Sequence, residues 1–289
     1  MVRQPIVAGQ FYESDKKKLE NQINDCFLHE FGPKKLPDGT RNKRIIGAIS
    51  PHAGYFFSGA GAAFSFKEIG ESKFPETYIM LGLSHQGYRS CVSLEDWETP
   101  LGIIKVDKEF GEKIIKNSSL KVNEAAHRQE HSIEVQLPFL QFVTKQQENK
   151  VRISPIMVSP DVSYSDIALG IKKTIDELKR TVCIIASSDF THYGINYGYV
   201  PFSKNIKENM YALDKKAIDF IIKMDASGFL DYTEETGATI CGAYAIAVLI
   251  EICKSVGKKK TKLLKYYTSG DVVDDYSSAV GYASIIVED

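Results

Sequence analysis

Three of the six histidines in this 289-residue chain follow closely on short apolar runs. "RIIGAIS" (44–50) leads into Pro51-His52, and "TYIMLGL" (77–83) leads into Ser84-His85. "TVCIIAS" (181–187) leads into Ser188-Asp189-Phe190-Thr191-His192. Imidazole is the commonest protein metal ligand and a proton carrier near neutral pH. A carboxylate such as Asp189 beside it can orient a ring or hold a substrate. A single histidine at a strand end is ordinarily a hydrogen-bonded turn residue. Three that converge, together with Asp189, favour ligation over that reading.

Two further features bear on chemistry. Cys241 lies in "EETGATICGAYAIAVLIEIC", where Thr236-Gly237-Ala238 reads as a turn into a helix. In the first turn its thiolate is favoured by the helix N-terminus, and Gly242 beside it permits close approach of another backbone. The alternative for Cys241 is a small core hydrophobe, the reading kept for Cys26, Cys91, Cys183 and Cys253. "AAHRQEHSIEVQLPFL" contains H-x-x-E-H (His127, Glu130, His131). On one helix that spacing presents two zinc ligands and a glutamate base, as in inverzincin peptidases. It runs straight into Leu137-Pro138, which favours a turn at the end of a partly exposed helix.

The histidines meet only if their strands are parallel neighbours. "VRISPIMV" (151–158) joins the three runs above as a fourth, and all are short, rich in β-branched residues and free of polar alternation. Strands buried on both faces of a parallel sheet read this way. Helical patterns at 15–31, 59–69, 107–117 and 165–180 separate them, with Asp15 a candidate N-cap. Residues 90–106, containing Trp97, read as a hairpin, and the C-terminal stretch from Lys262 reads as two strands around a turn. The expectation is an α/β fold in one domain, 1–289, with a mixed, mostly parallel central sheet flanked by helices. In such sheets ligands bind outside the carboxyl ends of the strands, which puts His52, His85, Asp189 and His192 on one crevice.

Composition narrows the function classes. The chain is 43% hydrophobic and 25% charged with a net charge of -1, so no global field recruits nucleic acid or an anionic membrane. The lysine clusters 16–18 and 258–260 read as solvated faces. Five widely spaced cysteines without a C-x-x-C pair argue for a reducing, cytoplasmic compartment. The N-terminus has no apolar h-region, so no secretory signal is expected. The longest apolar stretch falls short of the ~20 residues a bilayer span needs. "GAGAAFSF" lacks the spacing of a phosphate loop, and no G-x-S-x-G elbow is present.

The set "VAGQFY", "SPHAGY", "GLSH", "EHSIEVQLPF", "SSDFTHYG" and "TICG" resembles the Memo family, nearly end to end from Pro5 to the final strand. Members are similar in fold to class III extradiol non-haem iron dioxygenases. The resemblance implies that His52, His85 and Cys241 are metal ligands, for copper or iron, with zinc an alternative. It places Asp189 and His192 in the same pocket, His192 where the extradiol enzymes keep an acid–base histidine. Glu130 and His131 are then expected behind the ligands or in the pocket wall, with Tyr55 and Ser188 beside them. Two positions depart from the family pattern: Gln86 replaces a second histidine and Thr191 a common cysteine.

Two imidazoles and a thiolate make a three-ligand site with open positions, softer than the usual two-histidine, one-carboxylate iron site. The leading expectation is a metal-dependent redox enzyme acting on a small molecule or peptide. One alternative is a module that holds phosphate or a phosphotyrosine peptide without catalysis, lined by Tyr55, Tyr88 and Tyr193. Another is a zinc hydrolase. Family resemblance further suggests radical-SAM and AMMECR1-type partners and leaves homo-oligomerisation open.

Overall fold

The apolar runs form strands whose alternate residues enter two separate apolar layers. Along Thr77–Gly82 and Val182–Ser187, the residues Ile79, Leu81, Ile184 and Ala186 pack into one cluster. Tyr78, Met80, Cys183 and Ile185 pack into the other. A strand covered on both sides has no use for polar alternation, which is why these runs read as continuous. The computed structural model describes residues 1–147, 150–255 and 260–289. Lys16, Lys17 and Lys18 are exposed, as a solvated face should be, whereas Lys258 and Lys259 lie outside the described residues.

Four parallel strands make the centre of the sheet, in the order Arg152–Met157, Thr77–Gly82, Val182–Ser187, Ile45–Ser50. Beyond Arg152–Met157 lies Gly102–Val106, parallel to it and antiparallel to Asp96–Thr99, which is the expected hairpin. At the opposite edge Ser278–Glu288 runs antiparallel to Ile45–Ser50 and pairs in turn with Lys260–Thr268. The sheet is therefore mixed and flanked by helices, the α/β architecture expected. Val182–Ser187 is inserted between two strands that precede it in the chain. Ser50 sits opposite Ser187, so the carboxyl ends of three strands stand side by side.

Two helices abut these ends. Tyr55–Gly70 starts four residues earlier than its small-residue pattern suggests, because Gly54 caps it and the Tyr55 N–H is donated to Phe11 O. A Cβ on Gly61 would stand 3.0 Å from Tyr267 Cε1, so glycine lets this helix lie against Lys260–Thr268. Ala243–Lys254 is buried along nearly its whole length and begins at the crevice. The amphipathic helices Lys108–Asn117 and Tyr164–Leu178 form as expected, the first capped by Asp107. Among the described residues no helix is long and apolar enough to cross a membrane.

Candidate functional site

The three strand-end loops meet in one cleft of about 330 Å³. His52, His85, His131, Asp189 and His192 supply its polar lining together with Ser269 and Ser278, and Phe11, Phe57, Tyr197, Val280 and Tyr282 its apolar walls. The convergence expected from the strand ends is thus observed. Among the described residues no lysine or arginine lines the cleft.

Each strand-end ring is pinned through Nδ1. Ser187 Oγ lies 2.6 Å from Ser132 O, a pure acceptor, so the hydroxyl proton goes there. The Gln136 amide donates to the same Oγ at 2.8 Å. His52 Nδ1, 2.9 Å from that oxygen, must therefore carry a proton and donate, which leaves Nε2 with the lone pair. His85 Nδ1 lies 2.8 Å from Glu130 Oε1 and donates to it. His192 Nδ1 lies 3.0 Å from Thr239 O and donates to that carbonyl. All three rings consequently offer Nε2. A hydrogen bond to the nitrogen that does not bind is what orients histidine ligands around metals.

Burial pushes the His52 pKa down, only partly offset by Asp189, so the ring is held neutral. Burial alone would push Glu130 up, but the His85 ring and backbone N–H groups overcome it and bring Glu130 to about 2. The Glu130 carboxylate also accepts from the backbone N–H of His85, His131 and Ser132. It is therefore the hub that shapes the loop carrying His131. The Arg3 guanidinium, fully buried and paired with Glu134, donates to Glu130 O and His127 O and fastens that loop from behind.

Cys241 Sγ lies 3.4 Å from His52 Nε2 and accepts the Asp189 N–H at 3.2 Å. With metal–nitrogen and metal–sulfur bonds of about 2.0 and 2.3 Å, two ligands of one tetrahedral ion stand roughly 3.5 Å apart, so this pair fits. Asp189 Oδ2 is 3.9 Å from the same Nε2. The ligand atoms fall into two groups, each within 4.8 Å: His52, His85 and His131, and His52, Asp189 and Cys241. His52 is common to both, so the expected set His52, His85 and Cys241 spans the two. Gly242 permits the approach of Cys241, since a Cβ there would stand 2.5 Å from Ser188 Cβ and 2.6 Å from Ser187 O.

Several expectations need correction. Cys241 precedes Gly242, the N-cap, and is not in the first helical turn. Burial, with Asp189 adding to it, pushes its pKa well up, so without a metal it is a thiol and not a thiolate. Asp189 does not orient His192: its Oδ1 accepts the His52 N–H at 2.8 Å, while Thr239 holds His192. The H-x-x-E-H residues do not share a helix. His127 lies in the last turn of the short helix Glu124–Arg128, is fully buried and faces Cys91 O, whereas His131 lies in the following loop. Burial holds the His127 pKa near 4, and the same effect with repulsion from His52 and His85 brings His131 to about 4.

Tyr55 is in the core and donates to Val135 O, Tyr193 donates to Phe202 O, and Tyr88 faces Gln129; none of the three lines the cleft. Ser188 lies behind it, donating to Asp189 O and accepting the Gly242 N–H. Thr191 turns inward to the buried Asp214, and Gln86 is exposed outside the cleft. Residues absent from sequence reasoning are the pins Ser187, Gln136 and Thr239 and the walls Phe11, Phe57, Tyr197 and Tyr282. No local pattern marks them. Cys241 is not among the residues lining the histidine cleft; it borders a neighbouring cavity of about 450 Å³ with Leu83, Ser84, Val158, Ile240 and Tyr244.

Comparison with known proteins agrees with the motifs. Residues 3–286 match the family model described as Memo-like protein. A MEMO1 family protein of Nitrosopumilus maritimus is 41% identical over 293 residues, 99% of this chain and 99% of the relative. MEMO1 family proteins of Methanopyrus kandleri and Sulfolobus acidocaldarius are 39% and 40% identical, each over 99% of both chains. With its strand-end histidines, its "TICG" turn and these full-length matches, the chain belongs to the Memo-like family.

Proposed function

We propose that the protein is a metal-dependent redox enzyme in which His52, His85 and Cys241 hold a copper or iron ion. The observation that carries this reading is the common pinning of three strand-end imidazoles through Nδ1, which turns their Nε2 atoms toward one cleft beside a cysteine. When bound, the ion supplies a Lewis-acidic and redox-active centre with open coordination positions. The chain's own residues do the rest. His192, held by the Thr239 side chain and carbonyl, takes up and returns a proton at its bare Nε2. Asp189 fixes the His52 loop through its backbone N–H. Phe11, Phe57, Tyr197 and Tyr282 take up an apolar ligand body and limit water.

The phosphate-binding alternative finds less support, because an anion in this cleft would meet Asp189 and the neutral rings of His52 and His131 without a lysine or arginine to match it. Five widely spaced cysteines without a C-x-x-C pair favour a reducing, cytoplasmic setting. The test is anaerobic metal analysis of the wild-type protein and of His52→Ala, His85→Ala and Cys241→Ser. Near-stoichiometric copper or iron in the wild type and loss in each variant is expected. Equal, negligible metal in all four refutes the reading.

A further inference from the structure

Resting on the metal reading above, we propose that His131 is the third ligand of a second, all-imidazole seat, His52–His85–His131. It shares His52 and His85 with the Cys241 seat and competes with it for the same lone pairs, so the character of the ion decides which seat fills. Three observations carry this. The ligand atoms of His52, His85 and His131 lie within 4.8 Å of one another, and those of His52, Asp189 and Cys241 form a separate group. His52 belongs to both, yet its Nδ1 proton is committed to Ser187 Oγ at 2.9 Å, and that oxygen's own proton to Ser132 O. One lone pair, on Nε2, is left for two seats. They are alternatives for a single ion, not a dinuclear centre.

The third observation concerns the His131 ring. Its three neighbours in the cleft, His52, His85 and His192, each use Nδ1 to anchor themselves. His131 Nδ1 stands 3.8 Å from Glu130 Oε1, too far for a hydrogen bond, and the ring forms none among the described residues. It stacks on His85 with ring centres 4.4 Å apart at 12°, and meets Phe11 in a T-shaped contact with ring centres 4.8 Å apart. Parallel rings send their lone pairs side by side, so His131 must turn about Cβ–Cγ to converge with His85. That torsion is broad for imidazole, and no hydrogen bond opposes it. An imidazole that faces a cleft without a partner, beside two that offer Nε2, is placed to complete a facial set of three.

The chemistry separates the seats. Thiolate selects Cu(I), whereas three imidazoles with open positions for water suit Ni(II). The experiment titrates the metal-free protein anaerobically with Cu(I) or Ni(II) against a chromogenic chelator. Sulfur-to-metal charge transfer is recorded for each. Wild type should bind one equivalent of either ion, with Cu(I) displacing Ni(II), and the Ni(II) form should show no sulfur band. His131→Ala and His131→Asn should each weaken Ni(II) binding by at least about tenfold and leave Cu(I) within about twofold. Cys241→Ser should do the reverse, and His52→Ala should lose both. The asparagine variant and melting curves guard against a folding defect. Unchanged Ni(II) affinity in both folded His131 variants, a sulfur band in wild-type Ni(II) protein, or two ions per chain overturns the second seat and leaves the Cys241 site standing. Failure of the wild type to bind either ion refutes the metal reading itself.

Discussion

Gly242 is where packing and chemistry can be separated most cleanly. Its backbone, φ -97° and ψ 27°, is open to alanine, so Gly242→Ala carries no conformational penalty of its own. The whole cost is steric: the new Cβ would meet Ser188 Cβ at 2.5 Å and Ser187 O at 2.6 Å. Neither is the tip of a flexible side chain, so the turn 238–242 must move away from the strand end. Overpacking of this kind costs about 1–3 kcal/mol, a fall in melting temperature of roughly 2–10 °C for a chain of this size. The same movement draws Cys241 Sγ away from His52 Nε2, now 3.4 Å distant, and Cu(I) affinity should drop by about tenfold or more. Gly170→Ala is the control. Its Cβ would meet Ser118 Cβ at 2.6 Å, far from the cleft, and should lower stability without touching copper. Thermal melts and Cu(I) competition on both variants decide the matter. If Gly242→Ala loses stability but keeps copper as Gly170→Ala does, the close approach is packing alone. If it loses neither, the steric reasoning is wrong.

Other outcomes can be checked with equal directness. Glu130→Gln keeps the shape of the hub but weakens the charge-assisted bond to His85 Nδ1, and metal retention should fall by roughly 10–100-fold in chelator competition. Arg3→Met leaves Glu134 as an uncompensated buried charge, and denaturant unfolding should show a loss of about 3–5 kcal/mol. Burial raises Asp214 from 3.8 to about 6, outweighing its bonds from Thr191 and Tyr266. The folded state then holds a proton that the unfolded chain releases between those values. Stability should accordingly decline as pH rises from about 4 to 6, by an amount on the order of 3 kcal/mol. Asp214→Asn should remove that slope, and an unchanged slope in urea unfolding across this range would show that the group does not titrate there.

Much of this molecule is decided locally. Short, β-branched-rich apolar runs without alternation read as strands covered on both faces, and Asp15 and Asp107 cap their helices because the side chain reaches the third N–H of the next turn. The strand-end positions of His52, His85 and His192 were therefore legible, and so was the crevice they share. Cys241 was legible as a residue beside a close approach, because Gly242 signals one. Its ionisation was not: the cap position and the depth of burial depend on where the helix Ala243–Lys254 meets Ser188, and both act against the thiolate.

The remaining decisions belong to the tertiary structure, for a physical reason. Which nitrogen of each ring is bare depends on partners distant in sequence: Ser187 for His52 across 135 residues, Glu130 for His85 across 45, and Thr239 for His192 across 47. Hydrogen-bond geometry of that range leaves no periodic trace. H-x-x-E-H shows the same limit, since five adjacent residues sent His127 into the core and His131 into the cleft. Residue types and spacing determined that histidines, an aspartate and a cysteine would meet at the strand ends. Only folding decided which lone pairs face the cleft, which ring stays unpinned, and that His52 stands within reach of both the imidazole group and the Cys241 group.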